Sequence, residues 1–140
     1  MRKLLIAAAA LSLSAAPAFA ADVTGEWLVQ GGSAKVKIAP CGQQLCGAIN
    51  WLKEPTTKSG APKTDQKNPN AAMKTRPILG LQMLTGFKPT GENKWGGGKI
   101  YDPESGKTYD SKMTILPNGN LKVEGCVSII CRGVTWTRAS

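Results

Sequence analysis

Short stretches of alternating apolar and polar residues recur along this chain, each closed by Gly, Pro or Asn. Between Thr24 and Gln30, residues Gly25, Trp27 and Val29 fall on one face. Lys35-Val36-Lys37-Ile38 follows the Gly31-Gly32 turn, so Val36 and Ile38 point inward and both lysines outward. From Leu45 to Lys53 the alternation puts Ile49 and Trp51 on a common face. Leu79–Phe87, Trp95–Tyr101, Lys107–Leu116, Leu121–Cys126 and Ile130–Arg138 read as five more strands. Lys88–Asn93, Asp102–Gly106 and Pro117–Asn120 read as turns, the last with an Asn-Gly hairpin signal. Gly96-Gly97-Gly98 predicts a bulge.

The rhythm stops between Glu54 and Pro77. Pro55, Gly60, Pro62, Asn68, Pro69, Asn70 and Pro77 make this a long loop between strands 3 and 4. Asn68 followed by Pro69 predicts one helical turn, with Asn68 as its cap. Eight short strands suit a sandwich or an up-and-down barrel. The barrel is favoured, because consecutive hairpins lie side by side and closure removes the sheet edges. The expected fold is therefore all-β, an eight-stranded antiparallel barrel. Its interior is filled by side chains or holds one small ligand. The expected lining comes from Val29, Val36, Ile38, Ile49, Trp51, Leu81, Met83, Trp95, Met113, Ile115, Leu121, Val123, Val134 and Trp136.

The first residues change the setting. Met1-Arg2-Lys3, an uncharged run to Ala15 and Ala18-Phe19-Ala20 are a basic, an apolar and a cleavage region in the right order. Residues 1–20 are expected to be a signal peptide cut between Ala20 and Ala21, leaving one domain over 21–140 in the periplasm or outside the cell. No transmembrane span is expected after cleavage. Of 18 Lys and Arg, losing Arg2 and Lys3 leaves 16 against nine Asp and Glu, a charge of +7. Export and the scatter of the lysines argue against nucleic acid. An anionic envelope lipid or glycan remains open as a partner, beside a small apolar ligand.

Export also decides how the cysteines read. Cys41-x4-Cys46 and Cys126-x4-Cys131 each bracket a short turn. Residues opposed across a hairpin lie within disulfide range, so the expected bridges are Cys41–Cys46 and Cys126–Cys131. The chain has no His, which removes Ser-His-Asp and Cys-His catalysis and imidazole metal sites, and neither cysteine pair is C-x-x-C. No metal and no cofactor are expected. Gly106-Lys107-Thr108 lacks the Gly five residues earlier that a phosphate loop needs; Tyr101 stands there. Asp102 and Glu104 are a carboxylate pair in a turn.

Several motifs together resemble one family. They are Gly25-x-Trp27, Ile38-Ala39-Pro40-Cys41-Gly42, Leu45-Cys46-Gly47-x-Ile49-x-Trp51-Leu52, Asn68-Pro69 and Arg76-Pro77-x-x-Gly80. Trp95-x-Gly97-Gly98-x-Ile100-Tyr101-Asp102-Pro103, Gly106-Lys107-Thr108-Tyr109 and Trp136-Thr137-Arg138 continue the series. From about Gly25 to Arg138 the chain resembles the domain of unknown function 2147 family, small exported bacterial proteins with a lipocalin-like, calycin-type barrel. It departs from that pattern at Gly31-Gly32 and at Asn70, where acidic residues are usual. The resemblance implies that Trp27 packs under Arg138 and closes the barrel base. Trp51, Met83, Trp95, Asp65, Asn68 and Arg76 are the candidate ligand-binding residues, the last three on a loop, joined by Lys74, that would act as a lid.

Overall fold

The computed structural model describes residues 22–140. The expected signal peptide and its Ala20–Ala21 cleavage bond lie outside the described residues. Eight antiparallel strands form a closed barrel in chain order. They are β1 (Gly25–Leu28), β2 (Ala34–Cys41), β3 (Gln44–Leu52) and β4 (Gln82–Gly91). β5 (Lys94–Asp102), β6 (Lys107–Ile115), β7 (Leu121–Val127) and β8 (Ile130–Arg138) complete it. The long loop joins β3 to β4 as expected.

Alternation drives the core. Val36 and Ile38 of β2, Met113 and Ile115 of β6, and Leu121 and Val123 of β7 are buried; between them Lys37 and Lys122 face out and Thr114 is half-buried. They pack with Trp27, Leu84, Phe87, Trp95 and Trp136 in one cluster. β5 bends as its glycines predict. The β5–β6 register shifts between Trp95 and Gly98, and Gly97 takes a positive φ of 68°. Gly98 is needed for contact rather than conformation: a Cβ there would sit 2.5 Å from the Phe87 ring.

The ends of β1 and β8 close the barrel at its base. Trp27 pairs with Arg138 and Leu28 with Thr137. The Arg138 guanidinium lies 4.0 Å from the Trp27 ring centroid, a cation over an indole face. It also donates to the carbonyls of Thr24 and Asp22, while Trp27 Nε1 donates to the Val23 carbonyl. Gly25 has a positive φ of 118°, and a Cβ there would meet Arg138 and the Ser140 carbonyl.

Three expectations need correction. Trp51 does not line the interior. Val36 pairs with Ile49 but Lys35 pairs with Trp51, so Asn50 is an extra residue that turns Trp51 outward. It is 39% exposed with the Lys35 ammonium over its ring. β4 starts at Gln82, not Leu79, and runs through Pro89 to Gly91, leaving a tighter turn than expected. The helical turn is a 3-10 turn, Ala71–Met73, capped by Asn70. Asn68 instead accepts from the Asn70 amide and donates to Asp65.

Finally, both disulfides form as expected but not in equivalent geometry. Cys126 lies directly opposite Cys131, Cα–Cα 4.0 Å. Cys41 pairs with Gln44, and Cys46 with Ala39, so the first bridge runs diagonally over 5.8 Å. The turn there is the two residues Gly42 and Gln43.

Replacing Gly98 by Ala is expected to lower unfolding stability by about 1–3 kcal/mol, through collision with Phe87. A urea midpoint equal to wild type would show that the ring moves aside at no cost.

Candidate functional site

The up-and-down order puts the β1–β2, β3–β4, β5–β6 and β7–β8 connections at one end, opposite the closed base. The wall is uneven there. β1 leaves the sheet after Leu28, and only the Gln30 side chain reaches further, accepting from the Thr135 amide. β8 continues upward to Ile130, paired with β7 alone. Above Thr135 the barrel therefore has a notch on one side.

Register tells which residues face that notch. Val134 lies opposite Val123, and cross-strand partners share a face. Val123 is buried in the core, yet Val134 is 38% exposed. Arg132 lies opposite Gly125 in the next inward row. A Cβ on Gly125 would touch Tyr109 and Ile100, both half-buried. Val29, at the end of β1, is half-buried against the core. The lower interior is thus packed, while Val29, Ile100, Tyr109, Val134 and Arg132 border a half-open mouth. Two further depressions lie mainly on outward positions. One follows Lys37, Ala39, Ala48, Asn50 and Gln82; the other follows Lys99, Thr108, Asp110 and Cys126.

The loop residues gather beside the mouth. Ile100 shares the inward face of its partner Leu84, so Tyr101 takes an outward position on β5. It is nevertheless buried, because the long loop folds over it. Asp65, fully buried, accepts from the Tyr101 hydroxyl at 2.6 Å, Asn68 Nδ2 at 2.8 Å and Arg76 Nε at 2.9 Å. The Arg76 guanidinium also lies over the Tyr101 ring. Burial alone would raise the Asp65 pKa. The hydrogen bonds from Tyr101, Asn68 and Arg76, with the Arg76 charge, outweigh it and hold the carboxyl below its ordinary range. Burial, and then the bond to Asp65, pushes the Tyr101 phenol upward.

The structure brings Asp65, Asn68 and Arg76 together, and adds Tyr101, whose local sequence pattern is that of an ordinary strand residue. Their polar atoms are turned on one another. Lys74 stands apart, donating to the Gln66 carbonyl. Trp95 is buried in the lower core, Met83 is half-buried against it, and Trp51 is on the outer wall. The mouth residues Arg132 and Tyr109 were missed. Their signal was the strand pairing itself, since neither stands out by composition.

Because the folded Asp65 pKa lies below that of the unfolded chain, the ionised clasp stabilises the fold above about pH 3.9 and loses this effect as pH falls through the folded value. Asp65→Asn is expected to cost about 1–3 kcal/mol at neutral pH. The gap to wild type should narrow as pH falls below the ordinary carboxylate range. A pH-independent gap in urea titrations would rule out the carboxylate charge as its source.

Residues 25–138 match the family described as "Uncharacterized protein conserved in bacteria (DUF2147)". No curated protein sequence matches the chain. Among solved structures, it is similar to protein HP1028 from Helicobacter pylori, described as belonging to the lipocalin family. The two share 21% identity over 85% of this chain and 84% of that one, with a TM-score of 0.74. At that identity the likeness shows the lipocalin-like fold.

Proposed function

The chain belongs to the DUF2147 family of uncharacterized bacterial proteins, and from that premise we propose that its barrel is a binding module for a small amphiphilic ligand. The observation that carries this reading is Val134, which has an inward register but an exposed side chain. A native barrel filled throughout would bury that position with Val123. The apolar part of the ligand lies against Val29, Ile100, Tyr109 and Val134. Arg132, at the rim, offers five donors to a carboxylate or similar anionic head. A few polar groups at the edge of an apolar concavity are the usual make-up of such a site. The Asp65 clasp serves by keeping the long loop folded against β5, beside the opening. The two disulfides fit an oxidising compartment.

Dodecanoate binding by calorimetry tests this. One-to-one saturable binding is expected, with at least a tenfold loss in Val134→Trp, whose ring fills the mouth. Arg132→Gln is expected to weaken the carboxylate ligand but not dodecanol. The absence of saturable binding by either ligand would overturn the proposal.

A further inference from the structure

The β7–β8 turn is apolar where a turn is ordinarily polar. Val127, Ile129 and Ile130 are 66%, 93% and 70% exposed. They crowd a single turn whose Ser128 adopts a positive φ of 56°. The Cys126–Cys131 bridge crosses just beneath, so the turn is held as a rigid finger. Exposed apolar side chains scattered singly are unremarkable, but three at one projecting tip are not.

The surroundings of the finger are basic. Lys99 and Lys107 border the same depression as Val127 and Ser128. Lys99 is paired with Asp110, but among the described residues Lys107 makes no ion pair. Arg132 follows in β8. The long loop at the same end carries Lys53, Lys58, Lys63, Lys67, Lys74 and Arg76 against Glu54 and Asp65. A Cβ on Gly106 would collide with the Lys67 carbonyl, so the loop lies directly on the β5–β6 turn. That turn contributes Glu104, and Asp102 beside it is engaged by the Glu104 amide and Ser105 hydroxyl. The end as a whole keeps an excess of cations.

We infer that this end seats the protein on an anionic lipid bilayer. Val127, Ile129 and Ile130 enter the boundary between headgroups and acyl chains, and Lys107 and the loop lysines lie against headgroup phosphates. An apolar tip ringed by cations is complementary to that surface in both of its layers. A second copy of the chain is a poorer occupant, since a symmetric contact through β8 would bring like charges, Arg132 among them, together. The inference is independent of whether the barrel holds a ligand.

Flotation with vesicles of phosphatidylcholine, with and without about 30% phosphatidylglycerol, tests it. Binding is expected only to the anionic vesicles and is expected to vanish near 0.5 M salt. Ile129→Asp should lower it at least tenfold, and Lys107→Gln about fivefold, the equivalent of about 1 kcal/mol per cation. Both sites are exposed, so folding should be unaffected. An Ile129→Trp reporter should shift its emission to the blue on anionic vesicles. Val134→Trp, which blocks the mouth, should leave vesicle binding unchanged, and this separates the two proposals. The inference fails if anionic vesicles do not bind at low salt, or if Ile129→Asp binds them like wild type. It fails equally if the tip variant instead converts a dimer to a monomer by sedimentation.

Discussion

Two residue pairs and one guanidinium close this barrel. Trp27 and Leu28 meet Arg138 and Thr137, and the Arg138 side chain covers the indole and fastens the carbonyls of Asp22 and Thr24. Every other strand pair is longer. The short seam fixes the arrangement of the whole interior. Below it, Trp27, Trp136, Leu121 and Phe87 pack without solvent access. Above it, β8 has no neighbour on one side, and residues meant by their register to face a core face solvent instead. Floor and mouth are two results of the same constraint, the length of β1.

The barrel itself was legible because strands half-exposed to water must alternate, and turn residues must interrupt them. Failures came where the alternation hides an extra residue. Asn50 looks like an ordinary outward position between Ile49 and Trp51, but the β2–β3 register skips it and reverses Trp51. No local pattern reveals this, because a bulge is a property of two strands. The β5 bulge was visible only because three glycines mark it. Cysteine spacing gave the bridges, while the diagonal placement of the first depended on a turn length that one residue changes.

The polar cluster shows the same division. Asp65, Asn68 and Arg76 stood out as polar residues in a long loop, and they do converge. Tyr101 did not stand out, since it lies 36 residues beyond Asp65 on an outward strand position. A buried carboxylate with three donors is a long-range arrangement that no short motif encodes. It also anchors this loop to β5 through the Asp65–Tyr101 bond.

The two disulfides have a consequence for how the covalent structure is made. Four cysteines admit three pairings, and this fold uses the one in which each cysteine joins the next in the chain. An oxidant acting on the polypeptide as it emerges, N-terminus first, meets Cys41 and Cys46 well before Cys126 exists as an alternative partner. Sequential oxidation alone then yields the native bridges, and reshuffling by an isomerase is not required. The stapled tip of β7–β8 is the last to be locked, at the point where β8 arrives to meet β1.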